Sequence, residues 1–369
     1  MQEMMRKLMM AVAGLLLVSA GLADDLVWKQ ASELGVRGRG WPVVAAYGRL
    51  PAQYQGKVPE AVWKWGTMPA GLYVAFVSDS PKLSFRWAVD AEGTGLAMPH
   101  MPQTGVSGCD VYSKAADGSW RFIRIGMSWW QNPTTVAVDI GTPGKDRPYL
   151  VFLPLYVKLK SLEIGVLPGY TVDPADPFKE GARKPIVFYG TSITQGACAS
   201  RTGMAASSIV MRKLEWPVVN LGFNGAALLD PPTVEMVADI DAQVFVIDAL
   251  KNLRGQVFEK TDGPKELRQR IRAAVKLLRE KHPDTPILFV GESHYLERHP
   301  TAVSKAQAEA IGELQGEGVR HLHLLPGTDL LGRDGEGTTD GVHPNDLGMM
   351  RHAFAFITAL KPLLPPSGK

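Results

Sequence analysis

The sequence contains little cysteine, since Cys109 and Cys198 are the only two among 369 residues. Two cysteines are too few for a disulfide-dense scaffold, and no CxxC pair is present to hold a zinc ion. A bridge between them would require an oxidising compartment. The sequence does not decide between such a bridge and two buried thiols, although buried thiols are the more common state of isolated cysteines.

An excess of charge of one sign is also lacking. Charged residues make up 21% of the chain and the formal net charge is +3. So weak a surplus argues against nucleic acid or an anionic membrane as a partner. Long apolar runs are absent beyond the N-terminus, so we expect no stable membrane insertion of the mature chain. No internal repeat and no low-complexity tract is visible.

The first 23 residues have the pattern of a secretory signal peptide. Arg6-Lys7 precedes an apolar stretch from Leu8 to Val18, and Gly21-Leu22-Ala23 supplies the small residues typical of a cleavage site. The stretch is too short to span a bilayer comfortably, although an uncleaved N-terminal anchor is the alternative. The pattern predicts a secreted or periplasmic protein whose mature chain begins near residue 24.

Hydrophobic periodicity predicts two domains in the remaining chain. From residue 24 to 166, apolar residues alternate with polar ones, which is typical of an all-β sandwich of jelly-roll-like type. From residue 185 to 369, short apolar runs alternate with helical stretches such as 265–280, which predicts a parallel sheet covered by helices on both faces. The proline-rich segment 167–184 between them reads as a linker.

Two distant segments carry residues suited to nucleophilic catalysis. Ser192 follows Gly190 after an apolar run, and Asp340 precedes His343 by three residues near the C-terminus. A serine at a glycine-flanked turn exposes its hydroxyl, and a histidine oriented by an aspartate can act as its base. Helix capping is the competing interpretation of Ser192. The presence of both segments in one chain favours catalysis.

The chain resembles the SGNH (GDSL-type) hydrolases over roughly residues 185–366. The segment around Ser192 matches the nucleophile block, and Asp340-Gly341-Val342-His343 matches the final block. Residues 220–225 and 248–252 resemble the second and third blocks. The sequence departs from the family pattern at two positions: Thr191 replaces the usual aspartate and Leu250 replaces the usual glycine of the third block.

The resemblance implies a three-layer, flavodoxin-like α/β domain and a serine esterase that needs neither cofactor nor metal. Ser192 would be the nucleophile, His343 its base, and Asp340 the residue that orients the imidazole. The amides of Ser192 and Gly225 and the side chain of Asn252 would form the oxyanion hole. A plain turn residue is the alternative interpretation of Asn252.

The N-terminal part resembles a subgroup of the same hydrolases that carries a Gly-x-Asp-Leu-Tyr signature. Here the signature reads Gly108-Cys109-Asp110-Val111-Tyr112. Proteins of the subgroup are mostly known as secreted esterases, so the resemblance extends over nearly the whole mature chain. We therefore expect loop segments 98–101 and 108–112 to help form the substrate pocket. A β-sandwich that only stabilises the neighbouring domain is the alternative.

These patterns predict an enzyme that removes acetyl or other short acyl groups, with a small-molecule or glycan ester as its substrate. A lysophospholipase or thioesterase and a catalytically silent glycan-binding protein are the alternatives. One ring of Trp129-Trp130 could stack on a sugar, although packing is the commoner use of tryptophan. His294, which follows Glu292 and Ser293, could line the pocket mouth, although a solvated loop is an equally good interpretation. Glu292 and His294 alone fall short of the three or four ligands of a zinc site.

Overall fold

The structure is a computed structural model that describes residues 26–42, 44–126, 131–139, 147–293, 300–328 and 330–366. The signal-like segment, Trp129-Trp130 and His294 lie outside these residues, so the interpretations of them stay predictions.

Strands outnumber helices in the first half of the chain, and strands and helices alternate in the second. The strands are β1 (Val27–Gln30), β2 (Val36–Arg37), β3 (Tyr73–Ser78), β4 (Lys82–Asp90), β5 (Cys109–Lys114), β6 (Trp120–Gly126), β7 (Thr134–Asp139), β8 (Pro148–Phe152), β9 (Lys158–Val166), β10 (Val172–Pro174), β11 (Ile186–Gly190), β12 (Val218–Gly222), β13 (Val244–Asp248), β14 (Ile287–Val290) and β15 (Leu322–Leu325). The α-helices are α1 (Glu60–Gly66), α2 (Gln103–Val106), α3 (Ser192–Gln195), α4 (Ala206–Leu214), α5 (Pro231–Ala238), α6 (Leu250–Leu253), α7 (Gly263–Lys281), α8 (Ala302–Gly316) and α9 (Asp346–Leu360).

The N-terminal domain is built from two antiparallel sheets. One has the strand order β1-β9-β4-β7, and the other has the order β10-β3-β8-β5-β6 with β2 paired to β3. The period-two pattern of β4 places Leu83, Phe85, Trp87 and Val89 in the core, where each is almost fully buried. The predicted all-β architecture of this half is confirmed.

The C-terminal domain contains a parallel sheet with the order β12-β11-β13-β14-β15. This is the flavodoxin-like order, in which the chain reverses direction across the sheet beside the first strand. Gly190 at the end of β11 stands in register with Gly222 of β12 and Asp248 of β13. Three loops therefore leave the sheet side by side at its carboxyl edge, which is where an α/β sheet of this kind binds ligands.

The segment 167–184 differs from the linker that its prolines suggested. Val172–Pro174 adds β10 to the edge of the N-terminal sheet by pairing with β3, and an edge position tolerates a proline because the missing N–H is not needed. Phe178 is fully buried against the ring of Tyr73. The Tyr73 hydroxyl donates a hydrogen bond to Glu180 at 2.6 Å. This segment therefore belongs to the N-terminal packing.

The two domains share a continuous core. One buried cluster contains Phe152 and Leu155 of the N-terminal domain together with Phe188 and Phe356 of the C-terminal domain. Cys109 and Cys198 are both buried and unbridged. No helix within the described residues combines the length and apolar character that a membrane crossing requires.

Arg49 joins the N-terminal segment to the open edge of the parallel sheet. Its guanidinium donates to the carbonyl oxygens of Met68, Asn220, Gly222 and Trp65 at 2.7 to 2.9 Å. Asn220 and Gly222 belong to the edge strand β12, which has a sheet neighbour on one side only. Burial lowers the pKa of Arg49 to about 9, so the side chain stays charged at neutral pH. One arginine thus supplies the donors that the strand lacks.

We predict that Arg49→Met lowers the free energy of unfolding by about 3 kcal/mol or more, because buried carbonyl oxygens are left without donors. Urea unfolding of the full chain measures the loss. Arg86→Met is the matched control, since the Arg86 side chain is 40% exposed and forms a partly buried ion pair with Glu163. It should cost no more than about 1 kcal/mol. An equal loss in the two variants would contradict this assignment.

Candidate active site

Ser192 lies at the turn between strand β11 and the short helix α3. Thr191 caps this helix, because its Oγ1 accepts a hydrogen bond from the N–H of Ile193 at 3.2 Å. Thr191 therefore serves as the N-cap of the helix that begins at Ser192. A Cβ atom on Gly190 would lie 2.0 Å from Oγ1 of Thr194, so only glycine allows so tight a turn.

His343 connects Ser192 to Asp340. The Oγ of Ser192 lies 2.9 Å from Nε2 of His343, and the Oδ2 of Asp340 lies 2.7 Å from Nδ1 of the same ring. The second carboxylate oxygen of Asp340 accepts hydrogen bonds from the N–H groups of Val342 and His343 at 3.0 and 2.8 Å. Gly341 adopts a left-handed conformation with φ of 83°. That conformation lets the short loop fold back so that the carboxylate faces the imidazole.

The carboxylate of Asp340 is held in its ionised form. Partial burial alone would raise its pKa, but the hydrogen bonds from the His343 N–H, the His343 ring and the Val342 N–H outweigh burial and lower the pKa to about 2. An ionised carboxylate beside Nδ1 favours the tautomer with the proton on Nδ1. The Nε2 lone pair then points at the Ser192 hydroxyl, which is the arrangement a general base needs.

The other two residues expected in an oxyanion hole follow the neighbouring strands β12 and β13. Gly225 has φ of 69°, a conformation that favours glycine, and its carbonyl oxygen accepts a hydrogen bond from Gln256 at 2.5 Å. Asn252 lies in helix α6, and its Oδ1 accepts a hydrogen bond from the N–H of Ala227 at 3.3 Å. This contact ties the two loops together and leaves the Nδ2 donor of Asn252 for another partner.

Glu292 holds the segment that carries Asn252. Its carboxylate is almost fully buried and accepts hydrogen bonds from Lys251 at 3.1 Å, Arg254 at 2.9 Å and Thr301 at 2.9 Å. Burial would raise the pKa of Glu292, but these donors outweigh it and lower the pKa. Lys251 and Arg254 stand on either side of Asn252. The sequence left the role of Glu292 open, and the structure shows that it anchors this segment through buried ion pairs.

Two side chains of the N-terminal domain, those of His100 and Tyr156, lie beside the candidate catalytic residues. The rings of His100 and His343 are 5.6 Å apart between centroids, and Sγ of Cys198 donates a hydrogen bond to the carbonyl oxygen of His100 at 3.2 Å. The Tyr156 hydroxyl donates to the carbonyl oxygen of Ser192 at 3.2 Å. No aspartate stands near His100 in the sequence at the spacing of Asp340 and His343, so the sequence indicated no role for His100 as a base. Tertiary packing alone brings His100 beside His343. The only feature of the sequence that pointed to His100 was its place in the segment 98–101, which was expected at the pocket.

The Gly-x-Asp-Leu-Tyr signature lies elsewhere than expected. Residues 108–112 were expected to form a loop at the pocket, yet Asp110 lies within strand β5 and is fully buried. Its Oδ2 accepts hydrogen bonds from Arg201 at 2.6 Å and from the N–H of Gly203 at 2.9 Å. Burial raises the pKa of Asp110, and the charge of Arg201 opposes that shift. The signature therefore fastens the chain that follows helix α3 to the N-terminal sheet.

Cys198 shares the surroundings of Asp340 without forming a reactive thiolate. Burial and the nearby charge of Asp340 raise the pKa of Cys198 to about 11, although a hydrogen bond with Thr339 opposes the shift. The thiol is therefore protonated at neutral pH. It does not compete with Ser192 as a nucleophile.

Two family models match the chain and together span most of it. Residues 183–361 match the GDSL-like lipase/acylhydrolase family. Residues 26–172 match the GxDLY family, described as the N-terminus of esterases of the SGNH hydrolase type. No curated protein matches the chain.

Solved structures of similar fold span nearly the same length. A proposed GDSL-like lipase from Bacteroides ovatus is 32% identical with a TM-score of 0.78, and the match covers 92% of this chain and 98% of that one. A salicylyl-acyltransferase from a tetracycline biosynthetic pathway is 19% identical with a TM-score of 0.70, covering 92% and 99%. A family two carbohydrate esterase from Clostridium thermocellum, in complex with cellohexaose, is 14% identical with a TM-score of 0.51, covering 79% and 91%. At these two lower identities, the similarity to the acyltransferase and to the carbohydrate esterase shows a shared fold only.

We predict that Glu292→Gln lowers kcat for hydrolysis of an aryl acetate about tenfold or more, because loss of one oxyanion donor costs about 10² to 10³ and a displaced donor loses part of that. KM should change less. Glu259→Gln is the matched control, since Glu259 pairs with the same Arg254 but its side chain is 52% exposed. It should keep near wild-type kcat. Equal rates in the two variants would show that the buried pairs do not position Asn252.

Proposed function

The chain belongs to the GDSL-like lipase/acylhydrolase family and carries its GxDLY N-terminal domain, and from that membership we propose that it is a secreted serine esterase that removes acetyl or other short acyl groups from carbohydrate. Membership of this family makes it an acyl-ester hydrolase. The observation that carries the proposed mechanism is the 2.9 Å contact between Ser192 Oγ and His343 Nε2, with Asp340 on the far side of the ring.

In the first half of the proposed reaction, Ser192 attacks the ester carbonyl carbon. A bond forms between Oγ and that carbon while the hydroxyl proton passes to Nε2 of His343. Asp340 stabilises the resulting imidazolium. The carbonyl oxygen becomes an oxyanion, which would accept hydrogen bonds from the amides of Ser192 and Gly225 and from the side chain of Asn252. Collapse breaks the bond to the alcohol, and His343 returns its proton to the departing oxygen.

In the second half of the proposed reaction, water attacks the acyl-enzyme through the same steps. His343 takes a proton from water as the water oxygen bonds to the acyl carbon. The bond to Ser192 Oγ then breaks, and His343 returns the proton to the serine. The products are a carboxylic acid and free Ser192. Water is the only reactant needed besides the ester.

A short acyl group suits the polar surroundings of His343. The ring of His100 lies 5.6 Å from that of His343 between centroids, and the Cys198 thiol lies within 4.8 Å of a ligand atom of His343. A long acyl chain needs an extended apolar groove to bury its methylene groups. Carbohydrate as the carrier is favoured by the signal-like N-terminus and by the appended β-sandwich. The fold of a carbohydrate esterase with a bound oligosaccharide is compatible with that choice.

We predict that Ser192→Ala and His343→Ala each reduce ester hydrolysis by about 10⁴-fold or more, because both groups act in the same steps. Ser192→Ala should also abolish covalent labelling by a fluorophosphonate, measured by intact-protein mass spectrometry. Ser208→Ala is the matched control, since Ser208 is a buried serine of helix α4. Labelling that persists in Ser192→Ala would rule out the proposed nucleophile.

We predict that kcat/KM falls as the acyl chain of a para-nitrophenyl ester lengthens from acetate to laurate, and that acetylated oligosaccharides release acetate. Hydrolysis of both kinds of ester is measured with the full mature chain. A preference for long chains would instead support the lysophospholipase or thioesterase alternative. If none of these esters is hydrolysed and fluorophosphonate does not label the protein, the results would support a glycan-binding protein without catalytic activity.

A further inference from the structure

Four potential metal ligands converge where the N-terminal domain meets the proposed catalytic residues. They are His100, Cys198, Asp340 and His343, and one ligand atom of each lies within 4.8 Å of those of the other three. They come from three distant parts of the chain, namely the turn between Met98 and Met101, the segment after helix α3, and the Asp340 loop. The cluster therefore exists only in the folded, two-domain protein.

Cys198 and His100 are placed by a contact outside the proposed catalytic residues. The Cys198 thiol is held against the backbone of the His100 turn by its hydrogen bond to the carbonyl oxygen of His100. Cys198 has φ of 65°, a left-handed conformation that residues other than glycine rarely adopt. Such a conformation persists only where the surrounding structure enforces it. A buried thiol is thus fixed beside two imidazoles and a carboxylate.

The donor set matches the preference of one class of ion. Two imidazole nitrogens, one sulfur and one carboxylate oxygen are the ligands that Zn²⁺ takes in four-coordinate tetrahedral sites. Donors bound to such an ion lie roughly 3.3 to 3.7 Å apart, so the most distant pair must close by about 1 Å. His100 lies in the short turn closed by the Met98–Met101 bridge. Closure on an ion therefore requires a shift of about 1 Å in one or more of the loops that carry the four donors.

We propose that His100, Cys198, Asp340 and His343 form a reversible binding site for Zn²⁺ or a similar borderline-soft divalent cation, and that occupancy of this site blocks ester hydrolysis. Binding replaces the S–H bond of Cys198 by a sulfur–metal bond and releases the proton to solvent. Coordination through Nε2 of His343 removes the base of Ser192, and coordination through Nδ1 breaks the hydrogen bond to Asp340. Either mode is inhibitory. The inhibitory part rests on the proposed function, whereas the binding part does not.

Cobalt(II) titration of the full chain tests the site without using activity, because a cysteine thiolate bound to Co²⁺ gives a near-ultraviolet charge-transfer band. We expect the band in the wild type and in Cys109→Ala, and we expect added Zn²⁺ to remove it by competition. Cys198→Ala should lose the band, and His100→Ala should bind about tenfold more weakly or worse. The same band in Cys198→Ala, or no band in the wild type, would overturn the proposal.

Inhibition of para-nitrophenyl acetate hydrolysis by Zn²⁺ tests whether occupancy of the site blocks the reaction. The rate of each variant is compared with the rate of the same variant in the presence of chelator. Wild type and Cys109→Ala should be inhibited and recover when chelator is added. His100→Ala and Cys198→Ala should need about tenfold more Zn²⁺ or more. Equal sensitivity in all four proteins would overturn the inhibitory role. If no ester is hydrolysed, the proposed function fails while the cobalt band still decides whether the site exists.

Discussion

The 2.7 Å hydrogen bond between Asp340 and Nδ1 of His343 is the interaction on which the proposed chemistry depends. It fixes which imidazole nitrogen keeps its proton and directs the other toward Ser192. Two backbone N–H groups, of Val342 and His343, hold the same carboxylate. Because these donors lie on the loop itself, the loop supplies its own electrostatic stabilisation. The carboxylate stays ionised across the neutral pH range, and the orientation of the imidazole is preset before substrate binds.

The remaining structure places the loops around that bond. Arg49 supplies donors to the edge strand that leads to Gly225, and Asp110 fastens the segment after helix α3 through Arg201. Both residues belong to the N-terminal domain, and both are buried. His100 brings the same domain to the ring of His343. The domain therefore contributes to the geometry of the site, and the shared core explains why the two halves pack as one body.

Much of this arrangement was predictable from sequence, and the reasons for the rest are physical. The strands of the parallel sheet, the β-rich first half and the candidate residues on the carboxyl edge follow from periodicity and short motifs. The nearness of His100 to His343 and the Glu292 ion pairs do not, because they join residues far apart in the chain and leave no local pattern. The β10 strand was missed because its proline suggested a linker, whereas an edge strand accepts proline.

The most direct measurement is a crystal structure of the protein after reaction with a small organofluorophosphate. We expect a phosphorus atom bonded to Ser192 Oγ and a phosphoryl oxygen at about 2.7 to 3.1 Å from the amides of Ser192 and Gly225 and from Nδ2 of Asn252. The hydrogen bond between His343 and Asp340 should be retained. An adduct on another residue, or a phosphoryl oxygen that faces solvent away from these donors, would contradict the account.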